Sequence, residues 1–181
     1  ENSLYRDYPR MIDLSGEWAN QYNSVYSGII QLKKGKDSFI FNSDIRNQYI
    51  VKDINYYFDL AYNSERRRSP KIMHKKGDYI NKVFNFLLSD SYMQPHLHPG
   101  SEKIEKMYLI KGSFALIIFD DKGNVKETVV LSKGEKEFVS VPAYAWHTYV
   151  MLTNEVIVYE TMDGVYEPSS WKEMASWAPK E

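Results

Sequence analysis

The sequence contains no cysteine, which removes disulfides and thiolate metal ligands from consideration. It has no surplus of either charge. With 23 basic against 24 acidic residues its formal net charge is −1, so no general field draws in nucleic acid or an anionic membrane. Long apolar runs are missing too. The longest, Phe114 to Phe119, is six residues, against the ~20 that span a bilayer. The first ten residues, ENSLYRDYPR, hold no apolar stretch of the secretory kind. These absences set the expectation of a cytoplasmic protein that engages neither nucleic acid nor membrane. Histidine is also scarce, with four in 181 residues, so any clustering of them is informative.

What is present suits a globular chain of one domain with a modest appendage: 43% hydrophobic and 15% aromatic residues, enough for a core. Residues 1–49 read as an added β-hairpin, with GEWANQYNSVYSGIIQL and DSFIFNSDI flanking the turn-like KKGK at 33–36. Its apolar positions (Ile30, Leu32, Phe39, Phe41) need a partner surface, because an isolated hairpin is marginal in water. The expectation is that it extends the main sheet or pairs with a second subunit, giving a homodimer.

A helix is predicted next. Asp53 is a suitable N-cap, and Ile54, Tyr57, Phe58, Ala61 and Tyr62 form one apolar stripe. Pro70 closes this segment after the basic run Arg66-Arg67-Arg68. From about residue 79 the pattern turns to strands: Phe84, Phe86 and Leu88 alternate, then YMQPHLH, KMYLI, SFALIIF, KETVVLS, EFVSVP, WHTYVML and NEVIVYETM follow between turn signals. Seven or eight short strands at near-regular spacing predict an all-β sandwich or barrel over 50–181. The tail SSWKEM has Ser170 and Glu173 in capping-box spacing and predicts one helical turn.

Two of the four histidines stand at His96 and His98, and residues two apart on a strand share a face. Glu105 follows across the Pro99-Gly100 turn, and His147 comes later, at the start of another apolar strand. Three imidazoles and one carboxylate suit Zn, Fe, Ni, Cu or Mn rather than Ca or Mg.

With its HxH, Glu105, six residues and Gly112, then Pro142 and His147, the chain resembles the cupins. Their first motif is HxH, three or four residues, Glu, six residues and Gly. Here six residues separate His98 from Glu105, about two more than the pattern. Glu102 meets the first spacing and misses the glycine. Glu105 is preferred, because a turn absorbs an insertion that would flip every side chain of a paired strand. Tyr144 stands where cupins often carry Gly. A closer likeness is to WbuC-type cupin metalloproteins of bacterial surface-polysaccharide (O-antigen) synthesis, over roughly residues 50–181. It is carried by RRRSP (66–70), His74, SYMQPHLHP, FDDKGNV, VPAYAWHT and the ending YE…GVYEP…WAPKE. The resemblance implies an all-β cupin, a double-stranded β-helix or jelly-roll barrel, here with an N-terminal hairpin and helix.

The basic run at 66–68 could hold a phosphate or simply face solvent. Tyr149 shares the strand face of His147, and Glu160 is a lone carboxylate on the apolar VIVYE. Both are candidate general acids or bases. Three functional expectations follow. One is a metal-dependent isomerase, tautomerase or epimerase acting on a sugar or sugar nucleotide. The second is an Fe-dependent dioxygenase, and the third a non-catalytic sensing module for a carbohydrate-like small molecule.

Overall fold

The computed structural model describes residues 54–181 throughout and, before them, the backbone of four strands. The chain divides into two units, 1–56 and 57–181. In the first, β1 (Met11–Asp13), β2 (Ile29–Leu32), β3 (Ser38–Asn42) and β4 (Gln48–Lys52) form one antiparallel sheet in the order β1-β2-β3-β4. The expected hairpin is β2 paired with β3, with Ile30 opposite Phe41 and Leu32 opposite Phe39. It is the middle of a larger sheet. The segment QYIVK adds β4, so the sheet runs past the boundary expected after residue 49.

Helix α1 spans Ile54–Tyr62. Its stripe packs at Phe58 and Ala61, both buried, while Tyr62 at the end of the stripe is exposed. Tyr57 stacks on Phe86 at 4.9 Å, and Phe58 meets the same ring edge-on at 5.4 Å. The helix ends well before Pro70. That proline sits within β5 (Arg68–Ile72), an edge strand, where a residue without an N–H is tolerated.

The second unit is built from two five-stranded antiparallel sheets. One has the order β11-β8-β13-β6-β5, with β6 (Ile80–Leu88), β8 (Glu105–Lys111), β11 (Phe138–Val141) and β13 (Glu155–Asp163). The other has the order β10-β9-β12-β7-β14, with β7 (His96–Leu97), β9 (Ser113–Phe119), β10 (Val125–Ser132), β12 (Trp146–Met151) and β14 (Glu173–Met174). An apolar cluster lies between the sheets, with Leu87, Leu109, Phe114, Leu116, Met151 and Val156 among its members. The architecture is the expected jelly-roll barrel.

One alternation is resolved and one expectation changes. The alternating Phe84, Phe86 and Leu88 do not face the barrel interior. The opposite parity does: Asn81, Val83 and Asn85 line an internal cavity, and Leu87 joins the core. Phe84 belongs instead to an aromatic ladder on the outer face, running across β6, β13, β8 and β11 through Tyr159, Tyr108 and Phe138. A sheet buried on both faces carries two apolar sets, and alternation alone does not say which is inner. The tail SSWKEM is not a helical turn. Its last two residues pair as β14 with β7, Met174 opposite His96. One turn is too short to nucleate a helix, whereas the open edge of β7 offers backbone hydrogen bonds.

The motif glycine now has a physical reason. Gly112 sits at the β8–β9 turn with φ of +84°, and a Cβ there would lie 2.5 Å from the Glu155 carbonyl oxygen.

Candidate metal centre

Inward-facing positions recur every second residue, so each strand carries its site residue in register with its neighbours. Glu105 opens β8 and stands opposite Val141 on β11 and Met162 on β13. His147 on β12 stands opposite His96 on β7 and Ile118 on β9. His98 lies just beyond β7, and its carbonyl accepts a hydrogen bond from the Tyr144 amide at 3.1 Å. Tyr144 holds a left-handed φ of 62°, which accounts for the preference for glycine there.

These four side chains converge. His96, His98, Glu105 and His147 are between 1% and 6% exposed. One ring nitrogen from each of the three histidines lies within 4.8 Å of the others. Two donors ~2.1 Å from one ion are at most ~4.2 Å apart, so a small contraction closes the set. Glu105 Oε2 lies 2.9 Å from His147 Nε2 and 3.8 Å from His98 Nε2. Glu102 is exposed on the preceding turn.

The rings are held from behind. His96 Nδ1 bonds the Gln94 carbonyl at 3.0 Å, His98 Nδ1 the Trp171 carbonyl at 2.9 Å, and His147 Nδ1 the Ala145 carbonyl at 2.8 Å. A carbonyl only accepts, so each Nδ1 is the protonated nitrogen. On a neutral ring this leaves an Nε2 lone pair directed inward. Burial, reinforced at His96 by the charge of His147, pulls the His96 ring well below its ordinary range, and burial lowers His98 as well. His98 Nε2 is buried with no hydrogen-bond partner. Burial alone would raise the Glu105 carboxyl, but the hydrogen bond and charge of His147 outweigh it and hold Glu105 at about 2. A Nδ1-protonated His147 and an ionised Glu105 at 2.9 Å are two acceptors face to face. An imidazolium proton or a shared cation reconciles them. This donor set fits a divalent metal ion.

The cluster opens into a cavity of about 360 Å³. Tyr149 and Glu160 both line it, and Tyr149 Oη donates to Glu160 Oε1 at 2.8 Å. Burial, then the charge of Glu105, raises the Glu160 carboxyl to about 8, against hydrogen bonds from Tyr149 and Asn85. Burial pushes the Tyr149 phenol well above its ordinary range. His74 lines the cavity but is turned to the Lys82 backbone, 3.0 Å from its amide. Arg66 and Arg68 reach the cavity wall, while Arg67 pairs with Asp90 at 2.8 Å.

Trp171 and Lys172 also line the cavity, and nothing in their residue type or spacing pointed to them. Trp171 orients His98 through a backbone carbonyl, which leaves no trace in residue type. Lys172 stands beside it in a segment whose spacing predicted a helix.

An HxH pair that begins on one strand and ends just past it, a carboxylate opening the next and a third histidine across the sheet lie inside a double-sheeted barrel. The fold is that of a cupin. Residues 51–131 match a family model described as a domain of unknown function, DUF6016. No curated protein matches the sequence. Among solved structures, the chain is similar to protein SO0799 from Shewanella oneidensis, with 13% identity and a TM-score of 0.49, covering 59% of this chain and 72% of that one. It is also similar to Bacillus subtilis oxalate decarboxylase, with 16% identity and a TM-score of 0.49 over 61% of this chain and 28% of that one. A third similarity is to an oxalate oxidase in complex with the substrate analogue glycolate, with 14% identity and a TM-score of 0.49 over 61% and 56% of the two chains. The chain thus spans about a quarter of the decarboxylase and about half of the oxidase. Among the described residues no helix is long and apolar enough to cross a membrane.

Proposed function

We propose that this cupin is a metal-dependent enzyme that moves a proton on a small oxygenated molecule, a sugar or sugar nucleotide. One divalent cation is held by His96, His98, Glu105 and His147. The observation that carries the reading is the backing of all three imidazoles by backbone carbonyls, which commits Nδ1 and frees Nε2. A cation there supplies a Lewis acid for an oxygen of the ligand, making the neighbouring C–H more acidic. The chain's own residues do the rest. The ionised fraction of Glu160 takes the proton and returns it in the product, and Tyr149 positions the carboxylate through their 2.8 Å hydrogen bond. A carboxyl raised to about 8 exchanges protons near neutral pH, as a general acid–base group needs to. The cavity volume is in the range that holds a small molecule. Isomerase, tautomerase or epimerase chemistry fits these parts, and the resemblance to polysaccharide-synthesis cupins favours a carbohydrate.

The test has two stages. Elemental analysis of protein purified without added metal should find one transition metal per chain. Incubation with keto-sugar nucleotides in deuterated water should then show deuterium incorporation that Glu160→Gln abolishes without loss of metal. Saturable binding with no exchange turns the reading to a sensing module. Oxygen consumption by an iron-loaded sample turns it to a dioxygenase.

A further inference from the structure

We propose that Arg66, Arg68 and Lys172 form an anion subsite on the cavity wall for a phosphoryl group of the ligand, where the Glu181 carboxylate acts as an internal stand-in. The proposal rests on reading the cavity as a ligand site, and it names the charged part of that ligand. All three cationic side chains line the same cavity as the histidine cluster and Glu160.

The local backbone aims two of them. Arg67 is held in a left-handed conformation, φ 56°, and its side chain is turned to Asp90 and to the Tyr62 carbonyl. Arg66 and Arg68, on either side, meet on one atom, Glu181 Oε1. Arg68 is fixed beforehand. Its side chain is 7% exposed, and Nη1 donates to the Tyr92 carbonyl at 2.7 Å and to Ser91 Oγ at 3.3 Å. A guanidinium that cannot shed its proton, buried and braced in this way, is a ready-made oxyanion clamp.

Charge then selects the ligand. Arg66 and Arg68 share one carboxylate, Glu181, and Lys172 makes no ion pair among the described residues. Burial lowers Lys172, while Glu181 works to raise it. A phosphate dianion matches three cations better than one carboxylate does. The stand-in can also leave without the tail detaching. The Glu181 amide is held by Gln94 Oε1 at 3.3 Å, Tyr92 Oη donates to the Pro179 carbonyl at 2.7 Å, and the Ala175 amide to the Pro95 carbonyl at 2.8 Å. Only the side chain has to swing.

The experiment is calorimetric titration of the full chain, stripped of metal by chelation, with inorganic phosphate and separately with succinate. Removing an internal competitor raises the competent fraction, so Glu181→Gln should bind phosphate about tenfold more tightly. Loss of one charge-assisted contact in Arg66→Ala or Lys172→Ala should weaken phosphate by about tenfold. Arg66 is exposed enough for its variant to fold, which keeps the test open if an Arg68 variant does not. Unchanged or weaker phosphate binding in Glu181→Gln overturns the proposal, because the carboxylate is then a structural seal. Succinate binding more tightly than phosphate overturns the phosphoryl assignment. Because the titration is metal-free, the metal content of the same proteins, measured separately, shows whether the subsite or the metal reading has failed.

Discussion

The two ends of the barrel interior are built on the same strands and differ in almost everything else. Along β8 the inward side chains run Glu105, Met107, Leu109, and along β12 His147, Tyr149, Met151. Along β13 they run Met162, Glu160, Val158, Val156, and along β6 Asn81, Val83, Asn85, Leu87. One end is a polar cavity with a buried histidine cluster, and the other is close-packed hydrocarbon. A few residues of travel along each strand move a side chain from the cavity to the packed core. The apolar end makes the polar end possible. Buried imidazoles and carboxylates carry a desolvation cost, which a rigid scaffold sustains only if burial elsewhere offsets it.

The comparison breaks first at the metal. The double variant His96→Ala/His98→Ala should lose stoichiometric metal altogether, measured by elemental analysis, while keeping its fold by circular dichroism. A variant that still holds one equivalent means that the site lies elsewhere. Glu105→Gln should weaken metal binding, and Glu102→Gln, at an exposed turn position, should not.

Next in size is catalysis without metal loss. Tyr149→Phe and Glu160→Gln should slow proton exchange by about 10²–10⁴-fold at unchanged metal content. Glu160 also gives a pH signature of stability. Its folded value of about 8 lies above the ordinary 4.5, so the folded state favours the protonated carboxyl. That contribution is complete below the unfolded value and lost as pH rises toward the folded one. Denaturation of the metal-free protein should therefore show stability falling from about pH 5 to 8. Glu160→Gln should flatten that slope, and an unchanged slope would sink the assignment.

At the other end, Leu109→Ala should cost about 2–5 kcal/mol by chemical denaturation, the range for emptying a core site. Leu109 is fully buried in the apolar cluster and is not part of the cavity lining. The folded fraction should bind metal normally, which separates the two ends experimentally.

These contrasts also show what was legible in the sequence. The histidine pair, Glu105 and His147 stood out because polar residues at inward positions interrupt apolar strands, and strand period two is visible in residue types. Tyr149 and Glu160 were legible for the same reason, by sharing parity with the site. The parity of β6 was not. Phe84, Phe86 and Leu88 alternate cleanly, yet their neighbours Asn81 and Asn85 look like surface residues until the cavity is seen to take them. The β14 segment escaped because two residues of pairing with β7 depend on where that edge lies, a long-range fact. Arg66 and Arg68 were visible as charge. Their convergence depends on the left-handed Arg67 between them, which no residue type announced.

The smallest effect sits where backbone meets site. Tyr144 precedes β12 with φ of 62°, and its side chain is 58% exposed. A non-glycine residue in that conformation is strained by about 1–2 kcal/mol. Glycine removes the strain and adds about 0.4–1 kcal/mol of unfolded-state entropy. Little burial is lost, so Tyr144→Gly should be more stable by less than ~1 kcal/mol in urea denaturation. Tyr144→Val should be less stable, because a β-branched residue tolerates positive φ worst. The same backbone aims the site: the Tyr144 amide donates to the His98 carbonyl at 3.1 Å, and the Ala145 carbonyl accepts a hydrogen bond from His147 Nδ1 at 2.8 Å. Metal affinity should therefore survive Tyr144→Gly and decline in Tyr144→Val. If glycine instead destabilises by more than ~1 kcal/mol, the tyrosine ring matters there, and the backbone account of this turn is wrong.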